Sequence, residues 1–276
     1  DAVLAMGGFT AAASIRVGCQ INIPTFLHES NVVPGRANRF LSRWVDEIFI
    51  GFDAARNRFG QKKITESGTP VRSEFRNQNR DECCGRLGFN AAKPLILVTG
   101  GSQGARGVNR MVTGALPRLT DYLPGTQWLH LCGPHDLAEV KKAYGITCLR
   151  SAVHSFFHDM PSALGAADLV ISRSGASSLA ELSAANVPAI LVPLPTAADD
   201  HQRANARAAA ISGGVIVLEE TETTSDAFAE QVVGLISDTG KLMEMANAMK
   251  LLDRPDAAKL IAARILETCE KRAIDS

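Results

Sequence analysis

No run in this sequence of 276 residues approaches the ~18 consecutive apolar residues that a membrane-spanning helix needs. A membrane bundle is therefore not expected, and the best apolar runs, such as 188–195, have the length of buried strands. No excess charge of either sign exists, because 29 basic residues balance 29 acidic ones. Without a net field to attract nucleic acid, any anionic ligand must be bound at a local site.

Metal-ligand spacing is also missing. The six cysteines form no Cys-x-x-Cys, and Cys132 and Cys148 lie in apolar, strand-like runs where a free thiol acts as a small hydrophobe. We therefore expect a reducing cytoplasm and no zinc site. No Asp-x-Asp occurs either, so the sequence offers no evident cluster to hold a divalent metal on a diphosphate. No cofactor is expected.

Hydrophobic residues make up 46% of the chain, at a mean hydropathy of +0.03, which suits a globular core. Short apolar runs alternate with amphipathic segments, which predicts an α/β fold whose parallel sheets are covered on both faces. The predicted strands are 1–6, 24–29, 47–52, 94–99, 126–132, 146–150, 168–173, 188–193 and 214–219. The predicted helices are 10–19, 35–44, 104–118, 136–144, 158–166, 175–185, 200–211, 225–237, 240–250 and 256–272.

This alternation breaks at 68–93, where a polar, charged stretch follows Gly-Thr-Pro-Val-Arg, so we place an interdomain linker there. The expected division is a first domain at 1–75, a linker region at 76–93, a second domain at 94–240, and C-terminal helices at 241–276 that pack outside, back on the first domain. The first residues resemble a strand that enters a glycine loop, and no Met begins the sequence. We therefore expect the first domain to be incomplete here.

Ligands of open parallel sheets bind beyond the carboxyl ends of the strands, where loops lead into helix N-termini. The first such loop, Thr99-Gly-Gly-Ser102-Gln-Gly-Ala-Arg106, has the small residues that let backbone N–H groups approach a phosphate. Its spacing fits neither the Walker loop nor G-x-G-x-x-G. A tight turn that needs glycine for conformational reasons explains the same residues equally well.

A second loop, Ser172-Arg-Ser-Gly175-Ala-Ser-Ser-Leu-Ala-Glu181, opens a helix in the same way. Glu181 shares one helix face with Ser177 and Ser178. Its carboxylate could accept hydrogen bonds from both hydroxyls of a ribose while the helix end holds a diphosphate. The alternative is a first-turn acid or a capping box with Ser178.

A third loop precedes a helix that carries Gln202 and Asn205, two amides on one face that suit sugar hydroxyls. Asp199 and Gln202 also fit an ordinary N-cap arrangement, and His201 is not assigned a role. In the first domain, His28-Glu-Ser-Asn31 ends a strand; acid–base chemistry and a simple turn are both open. Arg72 at the linker could meet a phosphate or pair with a local acid.

The order of these motifs resembles the MurG family of bacterial UDP-N-acetylglucosamine transferases, over about residues 6–250. The motifs are Leu27-His-Glu-Ser-Asn31, Pro34-Gly-x-Ala-Asn38, Gly-Thr-Pro-Val-Arg72, Gly-Gly-Ser-Gln-Gly-Ala-Arg106, Phe157-x-Asp-Met160, Ser-Arg-Ser-Gly-Ala176 with Glu181, and Asp-Asp-His-Gln202 with Asn205. The resemblance implies a GT-B fold, two facing Rossmann-like domains with the site between them. It also implies transfer of N-acetylglucosamine from UDP to lipid I, with inversion and without metal.

Carried over by motif, the resemblance places Asn31 at the donor sugar, and Arg72 and Ser102 at the diphosphate. Phe157 replaces an aliphatic residue of the family pattern and would offer its backbone to uracil. Glu181 would bind the ribose and Gln202 the sugar hydroxyls. The helix start beside the diphosphate would consist of Ala176, Ser177, Ser178, Leu179 and Ala180.

Two departures from the family matter for catalysis. The family's first glycine loop, whose histidine is the usual candidate for the general base, is not in the sequence, so no catalytic residue is assigned. We expect this chain alone to bind UDP but to transfer little. The second glycine loop differs as well, since Gly7-Gly8-Phe9-Thr10-Ala-Ala-Ala13 stands where the family has Gly-Gly-Tyr-Val-Ser-Gly-Pro.

The acceptor of the family is a membrane lipid, so the resemblance implies a peripheral protein on the cytoplasmic face of the bacterial plasma membrane. Segment 36–45 carries arginines beside Phe40, Leu41 and Trp44, a composition that could dock on anionic lipid. An ordinary amphipathic helix with Trp44 buried explains it nearly as well.

Three functions are compatible with these residues. The first is the lipid II-forming transferase. Another GT-B enzyme that uses a UDP-sugar, such as a 2-epimerase or a glycolipid synthase, would need the same donor residues. A catalytically silent nucleotide-sugar-binding protein is the third.

Overall fold

Two parallel β-sheets organise the chain in the computed structural model, which describes residues 1–60, 62–101 and 103–274. The first sheet has the order β1-β2-β3-β4, with β1 Val3–Ala5, β2 Thr25–Glu29, β3 Glu47–Ile50 and β4 Ile64–Glu66. The second has the order β10-β9-β8-β5-β6-β7, with β5 Leu95–Thr99, β6 Gln127–Leu131, β7 Arg150–His154, β8 Leu169–Ser172, β9 Ala189–Leu191 and β10 Val215–Val217. The predicted α/β fold with two parallel sheets is confirmed.

Helices connect the strands and cover both faces of the sheets. They are α1 Ala11–Gln20, α2 Arg36–Leu41, α3 Arg80–Leu87, α4 Arg106–Tyr122, α5 Leu137–Gly145, α6 Met160–Ala166, α7 Ala176–Ala185, α8 His201–Ala210, α9 Ser225–Ser237, α10 Thr239–Lys250 and α11 Ala257–Ile274. Short 3-10 turns lie at Asp53–Arg58, Ser73–Phe75 and Ala198–Asp200. We call the first sheet with α1, α2 and α11 the first unit, and the second sheet with α3–α10 the second unit.

Each sheet has an apolar core on both faces, as parallel sheets require. On the second sheet, one core includes the fully buried Trp128 and the other includes Cys84. On the first sheet, Ile48 belongs to the core under α1 and α2. The opposite face presents Phe26 and Phe49 to the last helix of the chain.

That last helix, α11, returns from the second unit to the first. Its Ile261 packs against Phe26 and Phe49, and Arg264 pairs with the buried Glu47 of β3 at 3.2 Å. The pKa of Glu47 is lowered, because hydrogen bonds from Thr65, Lys63 and Arg264 outweigh the cost of burial. Helix α10 behaves differently, because its Met245 and Met249 belong to the cores of the second sheet. Only one of the two C-terminal helices therefore packs on the first sheet.

One predicted strand was partly wrong, and one observed strand was not predicted. Residues 146–149 are not a strand, because Thr147 folds back on the end of α5 through bonds to Tyr144 O, and β7 begins at Arg150. Cys148 is consequently exposed rather than buried. The three-residue strand β4 was not predicted.

Helix α3 lies in the stretch that the sequence presented as a polar linker. Asn79 caps its first turn by accepting from Asp81 N and Glu82 N, and Gly88 ends it at φ 74°. Among its residues only Cys83 and Cys84 are buried, so no apolar stripe indicates the helix in the sequence. The residue bounds given for the two domains stay a prediction.

Candidate functional site

Strands β5 and β8 are neighbours whose last residues, Thr99 and Ser172, stand side by side. Both strands lead through glycine-containing loops into helices, α4 and α7. In the first loop, Gly104 has φ 76°, and a Cβ there would lie 2.2 Å from the carbonyl oxygen of Cys132. Only glycine fits, so this loop is held against the neighbouring strand end. Ser102, predicted to line the diphosphate, lies outside the described residues.

A cavity of about 380 Å³ opens beside the start of α7. It is lined by Thr99, Gly101, Leu131, Ser155, Phe156, Phe157, Met160, Leu164, Ser172, Ser177, Ser178, Glu181 and Leu182. Four of the predicted site residues, Phe157, Ser177, Ser178 and Glu181, are therefore brought together. The lining combines apolar side chains with serine and threonine hydroxyls and one carboxylate. Such a lining suits a flat heterocycle joined to a sugar.

Glu181 is the charged group of this cavity. It is half-buried, and burial raises the pKa of its carboxyl, while the positive charge of Arg72 acts in the opposite direction. No hydrogen bond reaches this carboxylate from any residue that the structure describes. Both of its oxygens are therefore free to accept hydrogen bonds from a ligand, such as those of a vicinal diol.

A second cavity, of about 460 Å³, adjoins the first. Gly101 and Ser178 line both cavities, so together they form one elongated site. The N-cap residues of the two helices that point into it are Gly175 for α7 and Ala105 for α4, and neither makes a side-chain cap. Their first-turn N–H groups are left for a ligand, and the helix dipoles favour an anion there.

Gln202 lies at the far end of the second cavity, in the first turn of α8. Its Oε1 accepts from Leu194 N at 3.0 Å, which fixes the orientation of the amide and leaves Nε2 as the donor for a ligand. The turn before α8 places Asp199 and Asp200 at φ 50° and 55°. Across the cleft, Arg39 of α2 pairs with Asp199 at 2.6 Å.

Arg173 follows β8 and was not predicted to be a site residue. The buried Arg173 donates to the carbonyls of Val192 and Pro193, each at 3.1 Å. Its Nη1 also forms an ion pair with Oε2 of Glu220 at 2.6 Å. The angles of this contact do not meet those of a hydrogen bond. Glu220 lies against Gly107, at the start of α4. This pair forms one wall of the second cavity, and no motif around Glu220 indicated it.

Asn31 belongs to the first unit and lines neither of the two cavities. Glu29, at the end of β2, accepts from Asn31 N at 2.9 Å and from Asn31 Nδ2 at 3.0 Å, and Asn31 Oδ1 accepts from Asn205 of α8 at 3.0 Å. Asn31 is therefore held at the boundary between the units.

Arg72 and three residues of α7 stand apart from this arrangement. The side chain of Arg72 is exposed, and its guanidinium lies over the ring of Phe75 at 5.1 Å. Arg72 lines neither cavity, but its positive charge acts on Glu181. Ala176, Leu179 and Ala180 line a separate small cavity of about 130 Å³ between the units. This side of α7 therefore borders the first unit, while the side chain of Leu179 belongs to the core of the second sheet.

His28, Glu29 and His201 are the side chains present that could act as a general base, and each makes hydrogen bonds within the protein. His28 is buried, its Nε2 donates to Gly68 O at 2.9 Å, and burial lowers its pKa. Glu29 is buried among amide donors, and His201 Nδ1 lies 2.6 Å from Ala198 O. The turn interpretation of residues 28–31 therefore fits the structure, and the general base stays unassigned. Among the described residues, no group of three or more His, Cys, Asp or Glu side chains could hold a metal.

Comparison with known proteins identifies relatives of this chain. The C-terminal domain model of glycosyltransferase family 28 matches residues 95–261, and the N-terminal domain model of that family matches residues 1–50. A UDP-N-acetylglucosamine--N-acetylmuramyl-(pentapeptide) pyrophosphoryl-undecaprenol N-acetylglucosamine transferase from Anaeromyxobacter is 36% identical over 273 residues, which are 99% of this chain and 70% of that protein.

Solved structures agree with this match. The crystal structure of MurG from Acinetobacter baumannii has a TM-score of 0.78 and 29% identity, over 97% of this chain and 73% of that one. A UDP-GlcNAc 2-epimerase from Neisseria meningitidis bound to UDP-GlcNAc has a TM-score of 0.72 at 15% identity, over 96% of this chain and 76% of that one. The latter likeness shows the fold alone.

Proposed function

This chain belongs to the MurG family within glycosyltransferase family 28, and we infer that it transfers N-acetylglucosamine from UDP-N-acetylglucosamine to lipid I, forming lipid II for peptidoglycan. The predicted enzyme class and GT-B fold agree with the relatives. The observation that carries the donor assignment is Glu181. Its carboxylate accepts no hydrogen bond from the described residues, and it lines a cavity beside a helix N-terminus that has no side-chain cap.

The donor is proposed to lie along the two joined cavities. Uracil occupies the cavity beside Phe157, and Glu181 accepts from both ribose hydroxyls. The diphosphate lies on the first-turn N–H groups of α7, with Ser177, Ser178 and the loop that contains Ser102 beside it. The sugar then lies between Gln202 and Asn31. Ala176, Leu179 and Ala180 contribute backbone to this helix start.

Leaving-group stabilisation follows from the same arrangement. As the bond to the sugar breaks, negative charge develops on the β-phosphate of UDP. Preorganised N–H groups at a helix N-terminus stabilise that charge without reorganisation, and Arg72 adds a positive charge on the ribose side. The acceptor hydroxyl attacks from the opposite face, which inverts the anomeric centre.

Attachment to the membrane is proposed for the first unit. Phe9 is 86% exposed, and Phe40 of α2 is half exposed; Arg43 lies over the ring of Phe40 at 4.6 Å. Bulky apolar groups beside arginines fit an interface with anionic lipid, on the cytoplasmic face of the plasma membrane. Helix α2 is only six residues long and Trp44 is half-buried. Within the described residues, no helix has the length and hydropathy to span a membrane.

The test of the function is transfer of labelled N-acetylglucosamine from UDP to a lipid I analogue, read by mass spectrometry of the product. A small yield of the disaccharide product is expected, because none of the described residues is assigned as the general base. Formation of an epimerised UDP-sugar without acceptor would instead support a 2-epimerase, which the fold also permits. Binding of the donor with neither product would support a silent binding protein.

A further inference from the structure

Asn205 is a buried polar side chain that forms hydrogen bonds across the boundary between the two units. It lies on α8, one turn after Gln202, and has 0% of its surface exposed. Its Nδ2 donates to Asn31 Oδ1 at 3.0 Å and to Ser174 O at 3.2 Å. Its Oδ1 accepts from Val32 N at 2.9 Å. One amide thus joins the loop after β2 in the first unit to the loop before α7 in the second.

On the first-unit side, the partner loop is itself fixed. The carboxylate of the buried Glu29 accepts from Asn31 N, Asn31 Nδ2, Gly35 N and Asn38 Nδ2, at distances of 2.8–3.0 Å. Charge-assisted bonds of this kind are stronger than neutral ones. The loop can therefore shift relative to its own sheet only at a high cost, and its place relative to the second unit depends on what it contacts there.

On the second-unit side, the contact is tied to the sugar end of the site. Ser174 donates through Oγ to the carbonyl of Gln202 at 2.8 Å, and Asn205 donates to the carbonyl of Ser174. Gln202, Ser174 and Asn205 therefore form one rigid group. Asn205 cannot itself bind a ligand without breaking these bonds, because both of its N–H groups are in use.

We propose that Asn205 is a positioning residue that sets the distance between Asn31 and Gln202, so that the two amides hold one sugar from opposite sides. This inference rests on the proposed function, which places both amides on the donor sugar. It adds that neither amide is correctly placed without the buried link between them. Loss of the link should weaken sugar binding and leave nucleotide binding intact, because the uridine cavity belongs wholly to the second unit.

The experiment measures the affinities of UDP and of UDP-N-acetylglucosamine by calorimetry for the wild type, Asn205→Ala, Asn205→Asp, Asn31→Ala and the double variant Asn31→Ala/Asn205→Ala. We expect both Asn205 variants to bind UDP as the wild type does and to bind the UDP-sugar about tenfold more weakly, because both lose the hydrogen bond to Asn31. Asn205→Asp should resemble Asn205→Ala, because a carboxylate can still accept from Val32 N but cannot donate to Asn31. The double variant should be no weaker than Asn31→Ala alone.

A matched control separates positioning from loss of stability. Thr126 is buried at the opposite edge of the second sheet, where it accepts from Trp128 Nε1 at 3.0 Å and donates to Leu123 O at 2.8 Å. Thr126→Val should lower the unfolding temperature as Asn205→Ala does, yet keep the full preference for the UDP-sugar over UDP.

Two results would overturn the inference. One is an unchanged ratio of UDP-sugar to UDP affinity in folded Asn205 variants, and the other is additive losses in the double variant. The proposed function fails separately, if the wild type binds neither UDP nor UDP-N-acetylglucosamine.

Discussion

At the scale of single residues, the sequence predicts which side chains share the face of a helix that starts after a strand, because those side chains lie within a few positions of one another. Ser177, Ser178 and Glu181 lie around one cavity as their spacing predicted. What spacing could not give is the wall formed by Arg173 and Glu220, which are 47 positions apart and meet only through the order of β8, β9 and β10. The position of Ala176 and Ala180, at the border with the first unit, likewise depends on how the two units pack.

Glu181 makes donor binding sensitive to pH. Because burial raises the pKa of this carboxyl above its ordinary value of 4.5, it protonates at a higher pH than an exposed glutamate. The ribose requires the ionised form as acceptor, so affinity should be constant above that pKa and fall as the pH drops through it. The check is calorimetry with UDP-N-acetylglucosamine, whose diphosphate diester does not titrate in this range.

The matched variant is Glu181→Gln, which should bind the donor more weakly by about 1.5–3 kcal/mol for each lost charge-assisted bond and should lose the pH dependence. Glu230→Gln, on the outer helix α9, is the control and should behave as the wild type. Equal affinities for wild type and Glu181→Gln would contradict the ribose assignment.

The variant Gly104→Ala tests whether donor binding depends on the conformation of the loop before α4. Gly104→Ala requires a left-handed backbone in a residue with a Cβ and places that Cβ 2.2 Å from Cys132 O. We expect the free energy of unfolding to fall by about 1–3 kcal/mol, and donor affinity to fall with it, because the loop must move. Urea unfolding and calorimetry provide the measurement. Gly125→Ala is the control, since a Cβ there meets no atom within 4 Å; an equal loss in both variants would argue against a special role for Gly104.

At the scale of elements, helices and strands with an apolar pattern were predicted within a few residues, and those without one were not. Helix α3 has two buried cysteines in eight residues, so its caps at Asn79 and Gly88 were the only signals. Strand β4 contains a single apolar residue, Ile64, so no apolar run in the sequence indicates it. The attachment of α11 to the first sheet was anticipated because no strand follows it, whereas the packing of α10 in the second unit was not.

The last helix should contribute strongly to the stability of the first unit. Ile261 is 4% exposed between Phe26 and Phe49, so Ile261→Ala leaves a cavity and should cost about 2–5 kcal/mol of unfolding free energy. Hydrogen exchange should show the loss in β2 and β3 before it reaches the second sheet. The comparison variant is Leu266→Ala on the same helix, where the side chain is 62% exposed and little change is expected. An equal loss of protection in both sheets would contradict the prediction that α11 stabilises the first sheet more than the second.

At the scale of the whole molecule, a buried polar network ties stability to pH. His130 of β6 donates from Nε2 to Asn109 Oδ1 at 3.0 Å, and its Nδ1 lies 3.3 Å from the hydroxyl of Tyr144. Burial lowers the pKa of His130 from 6.5 to about 3. The histidine is therefore neutral in the folded protein while the unfolded chain takes up a proton below pH ~6.5.

The sign follows from proton uptake by the unfolded state. The contribution of His130 to the free energy of unfolding is fully present above pH ~6.5. It should fall by about 1.4 kcal/mol for each pH unit between 6.5 and 3. Urea titrations at several pH values measure it. His130→Gln should reduce the slope over that window by this amount, whatever its effect at neutral pH, whereas His135→Gln at an exposed site should not. A slope that His130→Gln leaves unchanged would assign the acid sensitivity to other groups.

The turn at Asp199 and Asp200 has a consequence for how this enzyme would respond to the ionic composition of its surroundings. Two successive non-glycine residues with positive φ cost free energy, and an ion pair with Arg39, open to solvent, compensates for part of that cost. Dissolved salt screens such a pair, so the backbone before Gln202 should relax as salt rises. The Michaelis constant for the donor should then increase with potassium chloride while the melting temperature stays nearly constant, and Asp199→Asn should have a high Michaelis constant at every salt concentration.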